Sequence, residues 1–409
     1  MDSDHLLEKA RARVAGGERA SLDSPVRVDS VSAEAELTGS HDAGPGEAGI
    51  REGGAREGSA REGRDHTERV DAVLDTFFRE AKARASVVGA RYVELWDVLE
   101  RNSVGGKRFR PRMVVAAYEA LGGSDTEASA LVGAAFELLH TALIVHDDVI
   151  DRDFSRRGIP NVSGSYRDTA TTAGISTPAA EHRGMSAAVI AGDLALTGAS
   201  RLLLGVTCAD ASRSRLLEIL DEAIFVSAGG ELLDVELSLA PDVPTVDEVL
   251  EMERAKTAVY SFEAPLMAGA VLADAPEEIV EALGEFGREV GIAYQIVDDL
   301  LGVFGEERTT GKTTTGDLRE GKRTVLIAHA ATTDDWFSIR PFVGKADLTE
   351  EEAEHVRARL TSCGSRARAE ILVKEHAARA LAVLERDGMP ADLRRVLQPV
   401  VDTVLERVR

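Results

Sequence analysis

Five aspartates carry the strongest chemical signal in this 409-residue chain. Asp147, Asp148 and Asp151 close the run that begins at Leu138, and Asp298 and Asp299 stand near the end of the run from Tyr294 to Gly302. Each run is apolar until it ends in acid, and each reads as a helix. The C-terminal end of a helix is already the negative pole of its macrodipole, so carboxylates are unfavourable there. Uncompensated acids at the end of a buried helix are costly. A divalent cation removes that cost. On a helix Asp147 and Asp151 lie one turn apart on one face, and His140 lies two turns below Asp147. Oxygen ligands with room for water suit Mg²⁺, which usually bridges protein carboxylates to substrate phosphates. A solvated acidic helix end is the plain alternative, and the apolar stretch from Leu138 to Val145 argues against it. Two such helices facing each other would hold metal between them.

Here the residues resemble a known family, the trans-isoprenyl diphosphate synthases (polyprenyl synthases), which carry two Asp-Asp-x-x-Asp motifs on facing helices. The first motif is intact, whereas the second has Gly302 where many members have the third Asp. The resemblance runs from about Val70 to about Leu384 and includes further motifs in the expected order. It implies Mg²⁺, three ions bound together with substrate, on Asp147, Asp148, Asp151, Asp298 and Asp299. It also implies isopentenyl diphosphate and an allylic diphosphate as substrates, and a homodimer.

The basic residues fit that reading. Gly105-Gly-Lys-Arg-Phe-Arg-Pro111 sets Lys107, Arg108 and Arg110 beside a helix N-terminus, a natural phosphate site, with Pro111 in the first turn. By resemblance Lys107, Arg110 and His140 contact isopentenyl diphosphate; on spacing alone His140 reads equally as a core histidine. Arg156 and Arg157 are adjacent guanidiniums able to grip phosphate oxygens bidentately. The resemblance gives Arg156 to the allylic diphosphate and Arg157 to isopentenyl diphosphate. Lys256 and Thr257 match the family's allylic-diphosphate pair. Gln295 is expected on the face of Asp298. Lys312 and Lys322, in the loop from Thr309 to Lys322, would close over the phosphates with Asp317 bracing them. Gly311-Lys312-Thr313 does not make a P-loop: the earlier glycine is missing at the required spacing and a helix precedes it. Asp193 is expected to be structural, and Glu231, where the family often has Gln, receives no role.

The elements that must position these residues are helical. Apolar residues make up 44% of the chain but aromatics only 4%, so the core is Leu, Val and Ala. Alternating β-branched runs are scarce and helical spacing is common, which predicts an all-α protein; the resemblance implies a single large helical bundle around a central cleft. Lys and Arg number 48 against 71 Asp and Glu, a net charge of −23, which excludes a general nucleic-acid or anionic-membrane binder. Cys208 and Cys363 are too few for a disulfide framework. No opening signal sequence and no run of ~18 apolar residues is read, so a cytoplasmic protein without an integral membrane segment is expected. Residues 1–64 are Gly-rich and charged, contain a five-residue repeat from Arg51 to Arg64, and are expected to be a disordered tail with at most a short helix from Asp4 to Val14. The helical domain is expected over residues 65–409. Residues 166–183 read as a long loop. Residues 246–272 read as a helix kinked at Pro265. The chain after Val325 reads as scaffold.

The activity implied is head-to-tail condensation of isopentenyl diphosphate with an allylic diphosphate, by loss of pyrophosphate, attack by the alkene and loss of a proton. Product length should be read along the first acidic helix. Leu143 and Ala142 lie one turn below Asp147, Leu139 two turns and Phe136 three. Family members that stop at fifteen carbons commonly place an aromatic five positions before the first Asp, where this chain has Ala142. Geranylgeranyl diphosphate is therefore the favoured product, with medium-chain products of twenty-five to thirty-five carbons as the alternative. Two other readings compete. A non-catalytic regulatory subunit would show lost cations or a broken first motif. A terpene cyclase would lack Lys107 and Arg157.

Overall fold

The computed structural model describes residues 53–407 except 106–107, 157 and 306–314, with side chains from residue 66 onward. Lys107, Arg157, Lys312 and the short helix expected near residue 4 fall outside the described residues.

The fold is all-α, as expected. The first helices are α1 (Gly53–Ala85), α2 (Ala90–Ser103), α3 (Phe109–Ala120) and α4 (Thr126–Ile150). A two-residue antiparallel hairpin follows, β1 (Ser155–Arg156) paired with β2 (Ile159–Pro160). Next come α5 (Val162–Thr172), α6 (Thr177–Leu204), α7 (Asp210–Leu239) and α8 (Val246–Glu253). A ten-residue π-helical segment, Arg254–Glu263, joins α8 to α9 (Ala264–Leu272), and α10 (Glu277–Phe304) completes the cleft. The remainder is α11 (Gly316–Glu320), α12 (Val325–Ala330), α13 (Trp336–Ile339), α14 (Glu350–Ser362), α15 (Ser365–Leu384) and α16 (Ala391–Glu406).

Helix α4 is the central post. Asp125 caps it, its carboxylate accepting from the N–H groups of Glu127 (3.0 Å) and Ala128 (2.9 Å). Fifteen of its 25 residues are buried, against α6, α3 and α1. Within it Glu137 meets Arg108 and His140 meets Tyr260, and the acids that close it stand in its last turn. Helix α10 likewise buries one side against α15 and the π-helical segment. By length and composition α4 and α6 could each cross a membrane, but 78% of the most apolar stretch of α4 is buried inside the protein, against 39% for α6.

Three expectations are corrected. The boundary at residue 64 is not a break, because α1 already runs from Gly53. Ala, Arg and Glu in the repeat are good helix formers, and extending a nucleated helix costs less than starting one. Residues 166–183 are not a loop. They belong to α5 and α6, separated by a turn at Gly174 with φ 78°. Within them only Ala170 and Ala180 are buried and the other small residues are exposed; α5 starts where Asn161 caps it, accepting from the Gly164 N–H at 2.8 Å. Finally, Pro265 does not simply kink one helix. The wide π turns precede it and Pro265 sits in the first turn of α9, where a missing N–H is harmless.

Candidate active site

The first acidic end is held by cations brought from two other elements. The β1–β2 hairpin presents Arg156, whose Nε donates to Asp148 Oδ1 at 2.9 Å. Its Nη2 donates to Asp148 Oδ1 at 2.7 Å and to Asp147 Oδ2 at 3.1 Å. The π-helical segment presents Lys256, whose Nζ lies 3.1 Å from Asp147 Oδ1, 2.6 Å from Asp234 Oδ2 and 3.1 Å from Glu231 Oε2. Helix α7 reaches this lysine because Gly230 has no side chain: a Cβ there would lie 2.6 Å from the Lys256 Cα. Thus Glu231 and Asp234 belong to the site, although neither was expected to. Burial alone would lower the Lys256 pKa, but Asp147, Asp234 and Glu231 outweigh it and hold the lysine above its ordinary value. Thr257 is half-buried beside it.

The aspartates themselves are strained in charge. Burial pushes Asp148 up to about 6, against the opposing pull of Arg156. Asp151 also rises to about 6. Solvent reaches it, yet the surrounding cleft walls and then Asp147 disfavour its charge, while Lys256 and Lys322 oppose that effect.

The second acidic end is built differently. Asp299 is almost fully buried and rises to about 7, through burial first and the charge of Asp317 next. Gln295 Nε2 donates to Asp299 Oδ1 at 3.1 Å, so Gln295 serves Asp299 one turn on. It had been expected to serve Asp298. Glu253, the last residue of α8, is buried against Asp299, and the two carboxyls share a hydrogen bond. Two such acids in contact cannot both ionise, and both are pushed up by burial. Lys322 Nζ pairs with Asp317 Oδ1 at 3.3 Å and Glu320 Oε2 at 3.1 Å, so Asp317 does brace this lysine. From the chain's end Arg407 brings Nη2 to 3.9 Å from Asp298 Oδ1 and lies 5.0 Å over the Tyr294 ring. The C-terminal part of the chain is therefore not scaffold alone.

Arg110 and His140 are brought together by a tyrosine that sequence reasoning missed. Arg110 Nη2 donates to Ser261 Oγ at 2.7 Å and to Tyr260 Oη at 3.2 Å, with the guanidinium 4.7 Å over the Tyr260 ring. Tyr260 Oη is 3.4 Å from His140 Nδ1, and the two rings stack. The Nε of Arg110 is buried without an acceptor, which suits an incoming anion. Arg108 takes no part in this. It is buried and donates to Asp71 and Glu137 at 2.8 and 2.9 Å, tying α1, α3 and α4 together. Asp193 is exposed, 3.6 Å from His146. Of the residues expected to measure product length, Phe136, Leu139 and Ala142 are fully buried below the aspartates and Leu143 is half-buried.

Among the described residues no three His, Cys, Asp or Glu side chains are set to hold an ion by themselves. The donors nevertheless fit a divalent cation shared with a diphosphate. They are all oxygen, and they carry surplus acid whose ionisation burial resists.

Comparison with known proteins agrees. Residues 93–360 match the Polyprenyl synthetase family. A geranylfarnesyl diphosphate synthase of Aeropyrum pernix is 32% identical over 312 residues, covering 75% of this chain and 91% of that protein. A (2E,6E)-farnesyl diphosphate synthase of Mycobacterium tuberculosis is 32% identical over 314 residues, covering 75% and 81%. The crystal structure of a geranylgeranyl pyrophosphate synthase from Corynebacterium glutamicum, complexed with isoprenyl diphosphate and magnesium, superposes with a TM-score of 0.77 at 29% identity, covering 84% of this chain and 98% of that one. An acid-tipped pair of helices, cations aimed at the acids and this likeness along most of the chain have one explanation: the chain belongs to the polyprenyl synthetase family and is a prenyltransferase that makes isoprenyl diphosphates.

Proposed function

We propose that the chain condenses isopentenyl diphosphate with an allylic diphosphate, that geranylgeranyl diphosphate is its main product, and that Mg²⁺ is its cofactor. The observation that carries the length is α4 itself. Ala142 leaves the wall one turn below Asp147 small, and Phe136 is fully buried three turns down. At the helical rise Phe136 lies about 16 Å below the first aspartate, and an isoprene unit of roughly 5 Å matches about one turn. A relative that makes geranylfarnesyl diphosphate keeps a longer product as the second reading.

Mg²⁺ on Asp147, Asp148, Asp151, Asp298 and Asp299, in three ions by family resemblance, would neutralise the allylic diphosphate and ease its departure. The protein's own part is charge and orientation. Arg156 and Lys256, released from the aspartates they now neutralise, add donors to the departing pyrophosphate, with Lys312 by resemblance. The allylic C–O bond breaks and its electrons leave with pyrophosphate. Arg110, His140, Lys107 and Arg157 hold isopentenyl diphosphate so that its alkene carbon attacks the allylic carbon and forms the new C–C bond. A proton then leaves the adduct to restore an alkene, and pyrophosphate is its acceptor. The apolar walls below α4 exclude water from the cation.

A second copy of this chain is the proposed partner. Val189 and Ile190 on α6, and Phe225, Leu232 and Leu233 on α7, are exposed large apolar side chains; Phe225 is 75% accessible. Such residues support a covered face. Incubation with labelled isopentenyl diphosphate and each allylic primer, followed by sizing of the products, tests the assignment. A twenty-carbon product is expected, and Ala142→Phe should shorten it by one unit. Unchanged length in both Ala142→Phe and Phe136→Ala would show that α4 does not measure the product.

A further inference from the structure

Tyr260 stands between Arg110 and His140, and its single hydroxyl hydrogen can serve only one of them. A phenol oxygen donates one hydrogen bond and can accept others, whereas a guanidinium carries donors alone. Arg110 Nη2 therefore donates to Tyr260 Oη at 3.2 Å, and the phenol cannot donate back. Among the described residues the other polar atom that Tyr260 Oη meets is His140 Nδ1, at 3.4 Å. Tyr260 is buried, and a buried hydroxyl without an acceptor is costly. Its hydrogen thus goes to Nδ1. Stacking holds the three groups in place. The rings of His140 and Tyr260 lie 6.0 Å apart at 23°, and the Arg110 guanidinium carbon is 4.7 Å from the Tyr260 ring centre. Ser261 Oγ, accepting from Arg110 Nη2 at 2.7 Å, fixes the guanidinium from the neighbouring position.

We propose that Tyr260 is a positioning residue that fixes the tautomer of His140. A ring that accepts at Nδ1 carries its proton on Nε2, so His140 meets isopentenyl diphosphate as a neutral donor. The opposite tautomer would turn a lone pair toward an anion. The inference rests on the substrate assignment given under Proposed function. In this arrangement Arg110 acts on the diphosphate in two ways. It offers its own donors, the buried Nε among them, and through the phenol it decides which nitrogen of the histidine is a donor.

Long-range proton–nitrogen NMR spectra of the full-length protein, made with ¹⁵N-labelled histidine and recorded without substrate, show which nitrogen of each ring is protonated. His140 is picked out of the nine histidines by its absence in His140→Gln. Its Nδ1 should show the shift of an acceptor nitrogen and its Nε2 that of a protonated one. Tyr260→Phe keeps the stacked ring and removes the hydroxyl, and should move the Nδ1 shift toward the protonated value. A proton on Nδ1 in the unmodified protein, or a tautomer unchanged in Tyr260→Phe, would overturn the proposal. Kinetics supply a second readout. Tyr260→Phe should raise the KM for isopentenyl diphosphate about fivefold, the worth of one hydrogen bond, and leave that of the allylic primer within about twofold. His140→Gln sets an amide nitrogen near the place of Nε2 and should keep the KM for isopentenyl diphosphate within about fivefold of wild type. His140→Asn sets its amide near Nδ1 instead and should raise that KM by about twentyfold or more. Equal losses in the two variants would show that His140 does not donate through Nε2, and the proposal falls. If the unmodified protein consumes no isopentenyl diphosphate, the substrate assignment itself fails, which is a distinct result because the spectra still report the tautomer.

Discussion

The ends of α4 and α10 look alike in sequence but meet their cations differently. At α4, Arg156 and Lys256 lie directly on Asp147 and Asp148. At α10, further acids gather around the aspartates: Glu253 beside Asp299, and Asp317 over Gly302. Lys322 and Arg407 sit at its edge. At one end the cations contact the aspartates that close the helix; at the other a glutamate and an aspartate from elsewhere in the chain stand closest to them. On the function proposed above, a diphosphate must displace Arg156 and Lys256 at the first end, and incoming ions must offset the added acids at the second.

The comparison breaks most sharply at Asp147, which meets both internal cations. Asp147→Ala should lower kcat by at least ~10³-fold, about 4 kcal/mol of barrier, in steady-state assays with saturating Mg²⁺. Excess EDTA should abolish wild-type turnover, and full activity in EDTA would defeat the metal-based half of the contrast. Removing Lys256 comes next. Lys256→Met leaves Asp147, Glu231 and Asp234 facing one another without their shared cation. Activity should fall ~10²-fold, about 2.7 kcal/mol. The melting temperature should drop by ~2–5 °C without Mg²⁺ and partly recover with Mg²⁺ and pyrophosphate.

Acidity offers a finer test. Asp148 and Asp151 have folded values of about 6 and Asp299 about 7, all above the unfolded value of ~3.9. These groups therefore favour the folded state most below pH ~4, and that contribution is lost as pH rises through about 6 to 7. At pH 7.5 the strain of ionisation is complete and Mg²⁺ relieves it; at pH 5 protons hold the same sites. The rise in melting temperature caused by Mg²⁺ with pyrophosphate should accordingly shrink by more than half between pH 7.5 and pH 5. A rise independent of pH would separate these carboxylates from the metal. The smallest effect is expected at Arg407, whose contact with Asp298 is long and half open to solvent. Arg407→Ala should change stability by less than ~1 kcal/mol, measured by urea unfolding.

Much of this contrast was hidden from the sequence for a physical reason. The aspartates announced themselves because acids closing an apolar run are locally improbable. Arg156 was legible as one of a pair, and Lys256 by its place in a motif. Glu231, Asp234 and Glu253 gave no signal, because a single carboxylate on a helix face looks the same whether it meets water or a lysine from another helix. Gly230, which brings α7 within reach of Lys256, is ordinary until its neighbour is known. Arg108 stood beside Lys107 and Arg110 in sequence without a role of its own, and its inward turn could not be read because it depends on the acids Asp71 and Glu137 that meet it. Residues 166–183 were mistaken for a loop because exposed Thr, Ser and Ala on a helix face look like turn residues until the Asn161 cap is recognised. The helical bundle itself was readable, since its periodicity repeats over hundreds of residues and does not depend on any one partner.

The π-helical segment ties two side-chain groups to one stretch of backbone. Lys256, near its start, meets Asp147, Asp234 and Glu231; Tyr260 and Ser261, four and five residues later, hold Arg110. A π turn packs more residues into each turn than an α turn does. If these residues relaxed to α geometry, Lys256 and Tyr260 would rotate relative to each other, and the lysine and the arginine could not both keep these partners. The pitch of this one segment thus sets the direction of two cations at once.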